Sequence, residues 1–254
     1  MKIAVVIPSY KAEGTVAGVI ETLPEELWRR GGVAILVNDA SPDGTGEVID
    51  KLASERDQVF AVHHPKNRGY GGALKTGIRF GLDKGYDIFA IVHSDGQYAP
   101  DVVLKLCKPI ESGDAEIVQG SRMAGGGARD GGMPYWTRYL PNRILTKMEN
   151  LVFGTDMEEF HSGYMIFSRK LLLEVPFEKL QDNYNFDAEM IVMAHQAGYR
   201  CAEIPIPTRY DEETSSLSPI PYGLNVLKMM VRHTFGHYRL LQDQFDSEHG
   251  IGTA

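Results

Sequence analysis

Only two cysteines, Cys107 and Cys201, occur in 254 residues, and neither has a second Cys or a His beside it at metal-ligand spacing. That pattern argues against a disulfide framework or a thiolate metal centre and predicts two buried, reduced thiols in a cytosolic protein. Positive charge is also scarce: 26 Lys plus Arg face 34 Asp plus Glu, a formal net charge of −8 with no basic run. Binding nucleic acid is therefore not the expected task. Long apolar runs are absent as well, since about 18 consecutive apolar residues are needed to span a bilayer. The opening run Met1 to Pro8 is too short for a secretory signal. The chain is expected to be soluble and cytoplasmic, at most peripheral at the inner membrane face. It has no internal repeat and no low-complexity tract.

What is present is an ordinary globular composition, 43% hydrophobic and 24% charged, with 27 glycines that turn out to cluster. At this length one large α/β domain is expected. Ile3 to Ile7 reads as a β-branched strand, followed by a helix over 15–23 with Val16, Val19, Ile20 and Leu23 on one face. Strands are predicted over 33–37, 59–63 and 88–92, with helices over 45–54 and 73–84 between them. Continuous apolar strands alternating with helices predict a mostly parallel central sheet flanked by helices on both faces.

The second half is less regular. Strands are predicted over 117–122, 164–168 and 200–206, and helices over 140–153 and 187–197. A glycine-rich segment, Gly125 to Gly132, reads as either a lid ordered by ligand or a surface connection. Helical spacing runs from Pro221 to Gln242, with Lys228, Arg232 and Arg239 forbidding a membrane span. That helix lies on a membrane surface, packs on the domain, or joins a homodimer. The expected division is a catalytic domain over 1–215 and a C-terminal helical extension over 216–254.

Ligands of such sheets collect at the carboxyl ends of the strands. Three polar clusters, Pro8 to Glu13, Asn38 to Asp43 and His93 to Gln97, each follow a strand, so they should meet on one rim. Tyr10 can flank a base there. Asp39 can accept a hydrogen bond from a base or ribose, and Asp95 with Gln97 can offer hard oxygen ligands to a cation. Asp43 and Asp101 are better read as turn and cap residues.

The ordered series Pro8-Ser9-Tyr10-Lys11-Ala12-Glu13, Val37-Asn38-Asp39-Ala40-Ser41-Pro42-Asp43-Gly44-Thr45, Asn67-Arg68-Gly69 and Asp95-Gly96-Gln97 resembles the inverting family 2 glycosyltransferases of the A-type fold. Within that family it is most similar to the dolichyl-phosphate mannose synthase and polyprenyl-phosphate sugar transferase branch, over about residues 1–215. The resemblance implies a UDP- or GDP-sugar donor and a lipid-phosphate or saccharide acceptor. It implies that Pro8, Tyr10 and Glu13 line the nucleotide pocket, that Asp39 meets the base, and that Asp95 and Gln97 hold Mg²⁺ or Mn²⁺ on the diphosphate. Arg122 and Arg209 match basic residues near the sugar and phosphates, and Ser162-Gly163-Tyr164 matches an element facing the acceptor.

The chain departs from the family's Asp-x-Asp, reading His93-Ser94-Asp95. His93 is either a ligand, which would favour Mn²⁺, or only a hydrogen-bond donor. A hydroxyl acceptor needs a base, for which Asp187 is the candidate with helix capping as the alternative. Glu189, two residues on, cannot share its face. A phosphate acceptor, already ionised, needs none. Of the rival readings, a sugar nucleotidyltransferase is disfavoured because Pro8 to Glu13 contains no glycine to cradle phosphates. The other is a glycosyltransferase-like binding module or scaffold that has lost activity, which His93 motivates and Asp95, Gln97, Arg122 and Arg209 oppose.

Overall fold

The computed structural model describes residues 1–96, 98–126, 128, 132–207 and 219–250. Seven strands, β1 (Ile3–Ser9), β2 (Val33–Asn38), β3 (Val59–His63), β4 (Ile88–Ile91), β5 (Ile117–Ser121), β6 (Met165–Ser168) and β7 (Cys201–Pro205), form one sheet in the order β3-β2-β1-β4-β6-β5-β7. The pairs are parallel except those of β6, which runs antiparallel between β4 and β5. The expected mostly parallel sheet is thus present, with one reversed strand.

Between the strands lie α1 (Val16–Thr22), α2 (Glu25–Arg29), α3 (Thr45–Glu55), α4 (Tyr70–Asp83), α5 (Val103–Glu111), α6 (Leu140–Phe153), α7 (Arg169–Glu174) and α8 (Phe186–Gln196). Two C-terminal helices follow, α9 (Pro219–Thr234) and α10 (His237–His249). The single helix expected over Pro221–Gln242 is therefore two. Gly236 breaks it with φ 77°, a left-handed conformation that glycine adopts without steric cost.

Side chains alternate across β1, so Ala4 and Val6 enter one core with α4 and α8, while Ile3, Val5 and Ile7 enter another with α1 and α5. Each fully buried Val or Ile contributes roughly 1.5–3 kcal/mol, which makes the centre of the sheet a stiff platform for the loops beyond it. Val226, Met229, Met230 and Tyr238 of α9 and α10 enter the α4–α8 core, so the C-terminal helices share the sheet's own apolar layer. Cys107 is buried, whereas Cys201 is only half-buried at the start of β7, and both are free thiols. No helix among the described residues is long and apolar enough to cross a membrane.

Candidate functional site

A cleft of about 1040 Å³ opens at the carboxyl ends of β1, β2 and β4. Its walls are Pro8 to Lys11, Asp39, Asn67 to Tyr70, His93 to Asp95 and the segment Gln181 to Tyr184. Three loops predicted to converge on a rim thus do so. Lys11 and Ala40, the non-glycine residues with positive φ among those described, stand at 54° and 51° just after β1 and β2. Such backbone strain persists only where surrounding contacts hold it, and it clusters at functional sites.

Pro8 and Tyr10 line the cleft, and Tyr10 is exposed there. Glu13 does not line it. Its carboxylate accepts from the Gly44 amide at 3.0 Å and so ties the loop after β1 to the loop after β2. Asp43 behaves as the predicted turn residue: it accepts from the Ser41 and Thr45 hydroxyls, and these bonds, Ser41 first, lower its pKa to about 2.

Asp39 lies on the cleft wall but is wrapped by the protein itself. Oδ1 accepts from the His64 ring at 2.6 Å and from the Arg68 amide at 2.7 Å, and Oδ2 accepts from the Gly69 amide at 2.8 Å. A carboxylate has about four acceptor positions, so one remains on Oδ2 for a ligand. The same bonds anchor the start of α4 at the edge of the cleft. Gly69 and Gly71 permit the close approach: a Cβ at either would lie 2.5 Å from a carbonyl oxygen of Gln181 or Asp182. The glycine cluster therefore seats the Gln181 to Tyr184 segment against α4, and the Gly71 amide donates to Asp182 at 2.8 Å. Lys75 pairs with Asp182 at 2.7 Å to fix the same junction.

Beneath this wall is a polar chain unseen in the sequence. The Tyr70 hydroxyl donates to Asp187 Oδ2 at 2.8 Å and lies 3.2 Å from His93 Nε2. The Tyr70 ring stacks on Tyr184 at 5.2 Å, and both line the cleft. Asp187 does not. It is buried behind Tyr70 with Oδ1 lacking a partner among the described residues, and burial pushes its pKa up to about 8. Burial also lowers the pKa of His93, with Asp95 pulling the other way. Glu189 faces elsewhere, accepting from Tyr238 and from Gln181, as its spacing from Asp187 required.

Arg122 sits at the end of β5 in a buried pair rather than on the cleft wall. Its guanidinium and its amide both donate to Glu159, which is wholly inaccessible, and it also reaches the His161 carbonyl at 2.6 Å. Burial alone would raise the Glu159 pKa, but the Arg122 charge and hydrogen bonds outweigh it and hold the group below the ordinary carboxylate range. The Ser162-Gly163-Tyr164 turn places Gly163 against His93 and Tyr70: a Cβ there would lie 2.4 Å from His93 Nε2. Gln97 and Arg209 lie outside the described residues, as do residues 127 and 129–131 of the glycine-rich segment.

Against known proteins, the profile of glycosyl transferase family 2 matches residues 4–175. The chain belongs to that family. It is 29% identical over 214 residues to an undecaprenyl-phosphate mannosyltransferase of Micrococcus luteus, covering 81% of this chain and 83% of that protein. Over 222 residues it is 29% identical to a UDP-N-acetylglucosamine–dolichyl-phosphate N-acetylglucosaminyltransferase of Methanococcus voltae, covering 83% and 86%. Among solved structures, mannosyl-3-phosphoglycerate synthase of Rubrobacter xylanophilus superposes with TM-score 0.70 at 17% identity, covering 95% of this chain and 76% of that one. A glucosyl-3-phosphoglycerate synthase of Mycobacterium tuberculosis, solved with Mn²⁺, UDP and its glucosylated product, gives 0.62 at 20%, covering 93% and 80%. At such identities these likenesses speak for the fold, the A-type glycosyltransferase fold. This family 2 member is a glycosyltransferase.

The Mycobacterium tuberculosis neighbour holds Mn²⁺, and the residues here fit a divalent ion whose remaining ligands come from the substrate. Asp95 is an exposed carboxylate at the cleft mouth, and no cluster of three or more His, Cys, Asp or Glu able to hold a metal by itself occurs among the described residues. An ion held by one or two protein groups plus a diphosphate suits that donor set.

Proposed function

We propose that this glycosyltransferase moves a sugar from a nucleoside diphosphate, UDP or GDP, to a polyprenyl phosphate, with inversion at the anomeric carbon. The observation that carries the reading is the single cleft where Pro8, Tyr10, Asp39 and Asp95 meet the start of α4. The base would rest beside Tyr10 with its donor on Asp39 Oδ2, and the diphosphate would run toward Asp95 and the start of α4. A divalent ion there, held by Asp95 with Gln97, would neutralise charge on the leaving diphosphate. Arg209 is assigned to the same phosphates.

The acceptor oxygen attacks the anomeric carbon as the bond to the diphosphate breaks. A phosphate oxygen is already ionised at neutral pH and needs no base. The position of Asp187, buried behind Tyr70, supports an acceptor of that kind over a saccharide hydroxyl. So do the relatives, two of which act on undecaprenyl and dolichyl phosphates by name.

A lipid acceptor also fits the surface. Of fourteen large apolar side chains exposed among the described residues, ten lie within 132–155 and 219–242, including Trp136, Ile144, Leu151, Leu227, Val231 and Phe235. These two stretches, whose helices α6 and α9 pack together, hold six Lys or Arg and one acidic residue, the buried Glu149, in a chain of net charge −8. An apolar face with a basic border suits the surface of an anionic bilayer. The N-terminal turns of both helices reach the segment that leads to Gly163, which packs on His93 of the cleft: Asn142 donates to Glu159 at 3.2 Å, and the Tyr222 hydroxyl meets the His161 ring at 2.8 Å. A phosphate held at the membrane would thus be near the cleft.

Release of nucleotide from UDP- and GDP-sugars, with a short-chain polyprenyl phosphate or a saccharide as acceptor, tests the reaction. Turnover with the phosphate, lost in Asp95→Asn, is expected. Turnover only with a saccharide would overturn the acceptor. Flotation with vesicles of phosphatidylcholine, with and without phosphatidylglycerol, tests the surface. Binding only to the anionic vesicles, lost in Leu151→Glu/Phe235→Glu, is expected, and a stable lipid-free dimer dissociated by those changes would assign the face to a second copy instead.

A further inference from the structure

Where the family pattern has a carboxylate this chain has His93, and the groups that set the chemistry of that ring come from two distant helices. The proton on the Tyr70 hydroxyl goes to Asp187 Oδ2 at 2.8 Å, which leaves its oxygen as an acceptor 3.2 Å from His93 Nε2. Gly163 supplies a second acceptor on the same side. Its amide is committed to Tyr98 at 3.2 Å, and the backbone hydrogen bond between Gly163 and the His93 ring therefore falls to its carbonyl. Nε2 is the ring nitrogen next to Gly163, and only the absence of a side chain there allows the approach. With acceptors from Tyr70 and Gly163 around it, Nε2 carries the proton. Nδ1 then keeps its lone pair on a residue that lines the cleft with Asp95.

We propose that Tyr70, braced by Asp187, is a positioning residue that holds His93 in the tautomer offering Nδ1 as a nitrogen donor beside Asp95. The inference rests on the donor reading given above, and it gives the histidine substitution a purpose. A site with one nitrogen, one carboxylate and diphosphate oxygens favours Mn²⁺ over Mg²⁺, because imidazole suits later and softer ions better than Mg²⁺. Metal-bound histidines characteristically pass their other ring proton to an acceptor that fixes tautomer and orientation, and loss of such a partner costs about 10–100-fold in metal affinity. Asp187 serves here through Tyr70, not by touching substrate. Its burial, with Oδ1 lacking a partner among the described residues, matches a brace rather than a base exposed to the cleft.

Electron spin echo spectroscopy of Mn²⁺ bound with UDP, and separately with GDP, reads the nitrogen directly, and calorimetry reads the affinities. Nitrogen modulation is expected in the wild type and is expected to vanish in His93→Gln. Tyr70→Phe should weaken the modulation and lower Mn²⁺ retention about tenfold more than Mg²⁺ retention. Asp187→Asn still offers Tyr70 an acceptor oxygen, so it should preserve the signal, which separates positioning from loss of fold. In a His93→Asp background, Tyr70→Phe should no longer alter the Mn²⁺ to Mg²⁺ ratio. A nucleotide complex whose Mn²⁺ shows no nitrogen, or a Tyr70→Phe variant with signal and ratio unchanged, overturns this inference and leaves the donor reading standing. If neither nucleotide binds more tightly with metal, both fall.

Discussion

Replacing Asp187 by Asn should remove a pH dependence of stability that the wild type carries. Burial pushes this carboxyl from its ordinary 3.8 up to about 8, with the Tyr70 hydrogen bond opposing only part of the shift. Between those values the unfolded chain has released the proton while the folded chain retains it. The folded state therefore loses stability as pH rises through the window, by about 1.4 kcal/mol per unit. Over about four units that sets a ceiling of roughly 6 kcal/mol, as much as the whole stability of many domains. An Asn side chain has the same shape, still accepts the Tyr70 proton and does not titrate. Urea unfolding of both proteins at about pH 5 and about pH 8 isolates the effect, since other titrating groups, His93 included, are common to both. Between those conditions the difference in unfolding free energy should move toward the variant by about 2–4 kcal/mol. Parallel curves would refute the placement of Asp187 as a buried, proton-retaining acid.

Other consequences can be checked with simple variants. Arg122→Ala strands the buried Glu159 carboxylate, so a loss of about 3–5 kcal/mol is expected in thermal or urea unfolding. Adding Glu159→Gln should return part of it, and an additive double variant would mean that the pair is not coupled. Gly163→Ala drives a methyl group into the His93 ring, which Tyr70 and Tyr98 hold from other sides. Such overpacking costs about 1–3 kcal/mol, and the variant should also bind Mn²⁺ with UDP or GDP more weakly; unchanged melting and unchanged metal binding together would contradict the close packing. Asp39→Asn puts an amide donor where either the Arg68 or the Gly69 amide expects an acceptor, and should reduce nucleotide binding by calorimetry at least tenfold while lowering stability by about 1–3 kcal/mol.

Most of the sheet could be read from the chain because its strands are continuous apolar runs bounded by Pro, Gly and Asn, and burial on both faces leaves such runs little alternative. The reversal of β6 was not legible, since direction depends on which neighbours a strand finds, here β4 and β5. Helix α5 went unassigned although Val103, Leu106, Cys107 and Ile110 keep helical spacing and are all buried. Pro109 inside it obscures that signal. Short α2 and α7 offer one or two turns, too few for periodicity to register. At the C-terminus the apolar spacing continues through Gly236 from one helix into the next, so the pattern alone concealed the break.

The site divides along the same physical line. Residues that follow a strand inherit their position from the sheet, and Tyr10, Asp39 and Asp95 were placed on the rim that way. Tyr70, Tyr184 and the Gln181 to Asn183 segment owe their position to packing between α4 and a loop more than a hundred residues later. No local pattern marks such a contact, although the Gly69 to Gly72 cluster marks a place where another backbone approaches. Burial then redistributes roles that residue type suggests. Asp187 has the chemistry of a base, yet it lies buried behind Tyr70, where burial raises its pKa to about 8, and Arg122 has the chemistry of a phosphate ligand, yet its guanidinium pairs with Glu159. Asp39 anchors α4 and still has an acceptor position open to a ligand, because a carboxylate offers about four. What decides each case is the number of hydrogen-bond positions left after the fold has taken its share, a quantity set by tertiary contacts.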